Sequence, residues 1–78
     1  MAAITALQLR LARFALGLGV RDLAALAEVS PTTITRYELE RGDIHGAILD
    51  RLQHKLEDRG IVFVDADRSG TATIRLKD

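Results

Sequence analysis

The stretch GVRDLAALAEVSPTTITRYELERG, residues 19 to 42, contains the most information about the fold of this chain. Its pattern predicts two short helices joined by a tight turn. Ser30 is a favourable N-cap, and Pro31 suits the first position of a helix because its missing N–H has no partner there in any case. The helix before this turn is predicted from about Val20 to Glu28, and its alanines allow another helix to cross closely. This pattern indicates a helix-turn-helix unit.

The helix after the turn, predicted over about residues 30 to 39, has a polar outer face. Ile34 and Tyr37 are three residues apart and are expected to be buried. Threonine is a poor helix former, so several threonines on one short helix suggest another use for their hydroxyl groups. Back-bonding of these hydroxyls to carbonyl groups one turn earlier is an alternative explanation. The residues left for the outside are Thr32, Thr33, Thr35 and Arg36.

Helices are also predicted on both sides of this unit. Apolar residues spaced by three and four predict a first helix from about Ile4 to Leu16, with Leu9 and Leu16 off its buried stripe. A fourth helix is predicted from Asp43, as its N-cap, to about Arg59. Gly60 is expected to end that helix in the left-handed conformation. The stripes predicted to be buried are Ile4, Leu7, Leu11, Phe14 and Leu18 on the first helix, and Ile48, Leu49, Leu52 and Leu56 on the fourth.

The pattern changes from helix to strand after Gly60. Residues 61 to 64, IVFV, are β-branched and aromatic, DADRSG has turn composition, and apolar residues alternate with polar ones over residues 72 to 77. A two-stranded hairpin is marginal in water, so we expect one face to lie on the helices and one edge to pair with its copy in a second subunit. The residues assigned to this dimer interface are Ile61, Val62, Phe63, Val64, Ile74 and Leu76.

The predicted fold class is therefore mainly α, with four helices followed by a C-terminal β-hairpin. A chain of 78 residues is too short for two hydrophobic cores. Residues 1–60 are predicted to form the helix-turn-helix domain, and residues 61–78 to form a hairpin that serves as the dimerisation element of the same domain.

The composition restricts the class of protein. Eleven basic and eleven acidic residues cancel, whereas nucleic-acid-binding domains often have a basic excess, so any electrostatic attraction to DNA must be local. Cysteine is absent, which excludes disulfides and thiolate metal sites and favours the cytoplasm. No apolar run approaches the ~18 residues of a membrane helix.

Other kinds of site are disfavoured by the sequence. His45 and His54 are nine residues apart, and Asp50 and Asp58 each lie four residues from His54, but a metal site would need a third good ligand on the same face. The acidic residues are dispersed, and nothing supplies the nucleophile, base and orienting group of an enzyme. We expect no catalysis, no cofactor, no metal and no small-molecule ligand.

The segment VRDLAALAEVSPTTITRYE resembles the helix-turn-helix of the lambda-repressor-like (Cro/C1, XRE) transcriptional regulators. The segment LDRLQHKLEDRGIVFVD, followed by a basic apolar strand, is similar to the tail of small bacterial members in which a hairpin replaces the fifth helix. This resemblance implies a homodimeric repressor that binds double-stranded DNA at a two-fold-related operator. The matching positions are Leu23, Ala24, Val29, Ser30, Ile34, Arg36 and Glu38.

The resemblance also implies a role for individual residues of this chain. It places the helix from Ser30 to Glu38 in the major groove. Pro31 stands where relatives often have a glutamine, so base reading is expected to shift to Thr32 and Arg36, with Thr33 and Thr35 close to the groove wall. The residues implied near phosphates are Val20, Arg21 and Arg41, and the residues implied to form a structural ion pair are Arg13 and Glu38.

A function of another class stays open. The chain could be a protein-interaction module, of the antitoxin or antirepressor type, that keeps the helix-turn-helix shape and binds a protein partner. The zero net charge and a first strand that is apolar on both faces favour this alternative. A partner-binding helix would, however, carry large apolar residues where this chain has Thr32, Thr35 and Arg36.

Overall fold

The computed structural model, which describes residues 3–68 and 70–77, consists of four helices followed by a β-hairpin, so the predicted fold class is confirmed. Ser69, in the predicted turn of the hairpin, lies outside the described residues. Within the described parts of the chain, no helix is both long and apolar enough to cross a membrane. The elements are α1 (Ala6–Ala15), α2 (Val20–Ala27), α3 (Pro31–Glu38), α4 (Gly46–Glu57), β1 (Ile61–Val64) and β2 (Thr73–Leu76).

The helices begin and end at residues that satisfy their free backbone groups. Thr5 caps α1, since its hydroxyl accepts a hydrogen bond from the Gln8 amide at 3.1 Å while the Gln8 side chain accepts one from the Thr5 amide at 2.9 Å. Gly19 precedes α2, and its amide donates to Asp22 Oδ2 at 2.9 Å. Gly60 follows α4 with a φ of 97°, as predicted.

The start of α4 differs from the prediction. His45, not Asp43, is the N-cap, and its Nδ1 accepts a hydrogen bond from the Ala47 amide at 3.4 Å. Between them, Ile44 is only 7% exposed. Asp43 and Ile44 are therefore non-helical, the Ile44 side chain lies in the core, and α4 begins after these residues.

The stripe predicted to be buried on α1 is wrong at Leu7 and Phe14, although Ile4 is buried as predicted. Leu9 and Ala12 are completely buried, whereas Leu7 is 36% exposed and Phe14 is 65% exposed. Two faces of this helix carry apolar residues with the same spacing, and α1 turns the smaller one, which includes Ala12, toward the other helices. The core of the described chain is formed by Ile4, Leu9, Ala12, Leu23, Ala24, Ala27, Ile34, Ile44, Leu49, Leu52, Leu56 and Ile61.

The hairpin covers one side of the helices. Its strands are antiparallel, with β2 packed against α1 and β1 packed against α4. The Gln8 side chain, which is buried, joins α1 to the hairpin because its Nε2 donates to the carbonyl oxygens of Val64 and Thr73, each at 3.0 Å. The facing pairs of the two strands are Ile61–Leu76, Val62–Arg75, Phe63–Ile74 and Val64–Thr73.

Candidate nucleic-acid interface

The turn between α2 and α3 is fixed from two directions. Glu28 adopts the left-handed conformation (φ 57°), and the Val29 amide donates to the Ala24 carbonyl at 2.9 Å. Arg51 of α4 donates from Nε to the Ala27 carbonyl at 2.7 Å and from Nη2 to the Glu28 carbonyl at 3.3 Å. A positive group at the C-terminus of α2 also interacts favourably with the helix dipole. Arg51 thus holds the helix-turn-helix in shape, a role that the sequence pattern did not indicate.

The side of α3 that faces away from the core is polar. Ile34 is completely buried, whereas Thr32, Thr35 and Arg36 are exposed and Thr33 is half-buried. Thr32 and Arg36 are one helical turn apart and therefore lie on the same face. Within residues 3–68 and 70–77, no hydrogen bond or ion pair joins Arg36 to Glu40. The guanidinium group of Arg36 is thus open to a ligand.

A shallow depression lies along this polar face. Arg36 forms one wall, and its side chain rests against Gly42, where an added Cβ would lie 3.4 Å from Arg36 Nε. Ser30 is at the N-cap of α3 as predicted, but its hydroxyl makes no capping hydrogen bond. This hydroxyl is therefore a further polar group at the site, where the sequence suggested only a structural role. The lining residues are Ser30, Thr32, Thr33, Arg36, Gly42 and Asp43.

The residues expected near phosphates occupy different surroundings. Arg21, in the first turn of α2, and Arg41, in the segment after α3, are both exposed. Val20 is half-buried and packs against the core. Only its backbone is therefore suited to meet an anion at the N-terminus of α2. Glu40 adopts the left-handed conformation (φ 57°), and the Arg41 amide donates to the Arg36 carbonyl at 2.7 Å, so the chain reverses direction directly after α3.

A bidentate ion pair ties α1 to the C-terminus of α3. Arg13 donates from Nε to Glu38 Oε2 at 2.9 Å and from Nη2 to Glu38 Oε1 at 2.8 Å, and the two side chains are only 12% and 5% exposed. The hydrogen bond that Arg13 donates to Glu38 raises the pKa of Arg13, against the effect of burial. The Phe14 ring covers the same guanidinium group, with its centroid 4.6 Å from Arg13 Cζ.

Two more contacts fix α3, one against α1 and one against the segment just before it. Arg10 Nη1 donates to the Glu38 carbonyl at 3.3 Å. The Tyr37 hydroxyl donates to the Ile4 carbonyl at 2.7 Å, and burial, together with the charge of Asp43, raises the pKa of Tyr37. The orientation of α3 is therefore set by polar contacts at its C-terminal end and by the buried Ile34 on its inner face.

The residues expected in a dimer interface are not equally accessible. Ile61 is 2% exposed and belongs to the core of its own chain, so its side chain is removed from the predicted interface. Val62, Phe63 and Ile74 are half-buried. The exposed members of the set are Val64 (37%) and Leu76 (55%).

The described residues bring no metal-binding group of three or more His, Cys, Asp or Glu side chains together. His45 instead caps α4, and His54 is exposed. The exposed side of α3 carries hydroxyl groups and a guanidinium group. These groups can donate hydrogen bonds to a ligand that lies against α3. No protein-family model matches this chain, and no match is found among curated proteins.

Proposed function

We propose that this protein binds double-stranded DNA sequence-specifically as a small transcriptional regulator of the lambda-repressor-like kind, with α3 in the major groove. The observation that carries the proposal is the division of α3 into two faces. Its inner face is buried through Ile34 and anchored through Glu38, while Thr32, Thr35 and Arg36 face outward. The major groove of B-DNA admits an α-helix with such side chains.

The exposed side chains of α3 have the chemistry needed to read base edges. Arginine can bridge N7 and O6 of guanine, and threonine can offer its hydroxyl to a base edge or its methyl group to thymine. We assign the main base contacts to Arg36 and Thr32, which share one face, and supporting contacts to Thr33 and Thr35. The Ser30 hydroxyl, free of a capping bond, lies beside them.

Contacts to phosphates would position α3 without reading the sequence. Arg21 and Arg41 are exposed on either side of α3 in the chain, and the backbone amides near Val20 lie at the positive end of α2. The chain has no net positive charge to add to these local contacts, since its eleven basic residues are balanced by eleven acidic ones. We therefore propose a homodimer that binds a two-fold-related operator, with recognition helices about 34 Å apart, and that represses transcription in the cytoplasm.

A mobility-shift titration tests the proposal. The full chain is titrated against the DNA upstream of its own coding region and against random DNA, at salt concentrations from about 50 to about 200 mM. We expect tighter binding to the upstream DNA and an affinity that falls with salt, because phosphate contacts release counterions. Absence of binding at low salt, or binding that does not respond to salt, would refute the proposal.

One observation favours the alternative function, a module that binds another protein. The exposed side chains of Leu7 and Phe14 on α1 are suited to an apolar partner rather than to DNA. A failed mobility shift, combined with co-purification of one stoichiometric protein that is lost in a Phe14→Gln variant, would favour this function over DNA binding.

A further inference from the structure

Asp43 does not have the capping role that the sequence pattern predicted for it. His45 caps α4 in its place. The Asp43 side chain is exposed, and among the described residues it forms no ion pair and accepts no hydrogen bond. It nevertheless lines the depression along the polar face of α3, where the phosphates of DNA would repel a carboxylate. An acidic side chain at this place therefore needs a role other than helix capping or phosphate binding.

The guanidinium group of Arg36 lies beside the backbone that leads into Asp43. Both residues line the same depression, and Gly42 separates Asp43 from the rest of the turn after α3. A Cβ added at Gly42 would lie 3.4 Å from Arg36 Nε and 3.6 Å from Arg36 Nη2. The φ of Gly42 is not positive, so its backbone conformation does not require glycine. A larger side chain at this position would instead fill the space next to the guanidinium group.

The backbone holds Asp43 close to α3 without an ion pair. The Arg41 amide donates to the Arg36 carbonyl at 2.7 Å, so the chain reverses directly after the helix and returns alongside it. Ile44, the next residue after Asp43, is buried in the core. Burial and, after it, the charge of Asp43 raise the pKa of Tyr37, so the carboxylate is within electrostatic range of α3. The position of Asp43 relative to the DNA-reading helix is therefore fixed by the fold.

We infer that Asp43 is a positioning residue for base reading: on DNA, its carboxylate accepts a hydrogen bond from Arg36 and aims the guanidinium group at guanine. The inference deepens the proposed function and rests on it. A guanidinium group has five N–H donors in a planar fork, and the bidentate contact with N7 and O6 of guanine uses only two of them. A carboxylate makes a charge-assisted hydrogen bond with one of the donors that remain.

This arrangement would increase sequence specificity in two ways. The carboxylate restricts a long, flexible side chain to one orientation, which lowers the ordering cost of meeting a correctly placed guanine. Its negative charge also disfavours a phosphate at the same place, because like charges side by side oppose binding. Asp43 would then lower the affinity for random DNA while it raises the preference for one base pair, and specificity is the difference between those affinities.

Competition binding of the full chain to operators substituted at each base pair tests the inference. The base pair that Arg36 reads is the position at which Arg36→Ala loses its preference. We expect Asp43→Ala to reduce the preference at that same position about fivefold or more, and to cause no further reduction in the Arg36→Ala background. Asp50→Ala removes another exposed acidic side chain, on α4, and as the matched control should leave the preference unchanged. Circular dichroism of each variant verifies the fold.

Several outcomes would overturn the inference and leave the proposed function standing, provided that the wild-type chain still prefers its operator. They are an unchanged preference in Asp43→Ala, a tightening on all DNA equal to that in Asp50→Ala, a loss of preference that Asp43→Ala causes equally in the Arg36→Ala background, and an Arg36→Ala variant that changes no position. A wild-type chain that binds no DNA at low salt would refute the proposed function and the inference with it.

Discussion

The outward faces of α1 and α3 belong to helices that share one core, yet they differ in chemistry. On α3 the exposed side chains include Thr32 and Arg36, whereas on α1 they include Leu7 and Phe14. The chain as a whole has no net charge. The distribution of residues over these two surfaces, rather than the overall composition, therefore separates a face rich in hydrogen-bond donors from an apolar face of the kind that protein partners bury.

The two helices are held together as one unit. The Arg13–Glu38 ion pair, the bond from Arg10 to the Glu38 carbonyl and the bond from Tyr37 to the Ile4 carbonyl all join α1 or its N-terminal end to α3. Each of these contacts is polar and partly buried. Breaking one of them therefore tests whether the two faces depend on each other.

The largest effect is expected from Arg13→Met. This change leaves the Glu38 carboxylate, 5% exposed, without its partner, and removing one member of a buried pair costs about 3–5 kcal/mol. Urea unfolding measures the loss. The control is the double variant Arg13→Met/Glu38→Leu, which should recover much of the stability because no unpaired charge remains. Equal losses in the single and double variants would show that burial of the charge is not the cause.

A smaller effect, confined to the polar face, is expected from Arg36→Ala. If Arg36 reads one base pair, its loss should reduce the preference for that base pair by about 1–3 kcal/mol. Arg21→Ala is the matched control, since a phosphate contact should weaken all sequences alike and lower the salt slope by about 1. Competition binding to operators substituted at each position measures both. Equal weakening of specific and random DNA by Arg36→Ala would refute its role in base reading.

The two helices also differ in how far their faces could be predicted from the sequence. The two faces of α3 followed from local signals, because Ser30 and Pro31 fix the start of the helix and Ile34 is its central apolar residue. The buried and exposed faces of α1 could not be predicted from such local signals. Leu9 and Ala12 have the same three-residue spacing as Leu11 and Phe14, so periodicity cannot choose between them, and only packing against the other elements does.

Apart from the Arg13–Glu38 ion pair, which the resemblance implied, two long-range polar contacts could not be predicted from the sequence. The buried Gln8 amide donates to two hairpin carbonyls, and Arg51 donates to the Ala27 carbonyl at the end of α2, 24 residues earlier in the chain. Such bonds depend on where distant backbone groups meet, which no local pattern encodes. Of the contacts that Gln8 makes, only the capping box with Thr5 could have been predicted, because Thr5 and Gln8 have capping-box spacing.

The smallest effect is expected from Tyr37→Phe, which removes the 2.7 Å bond to the Ile4 carbonyl and should cost about 1 kcal/mol near neutral pH. Burial raises the pKa of Tyr37 above its usual 10.0. The folded chain therefore keeps this proton at a pH where the unfolded chain has lost it, so the contribution to stability is full below about pH 10 and is lost as the pH rises further. Urea unfolding at about pH 8 and about pH 11 should show a larger alkaline loss for the wild type than for Tyr37→Phe. An identical loss in both would mean that the hydroxyl does not help to hold α3 against the start of α1.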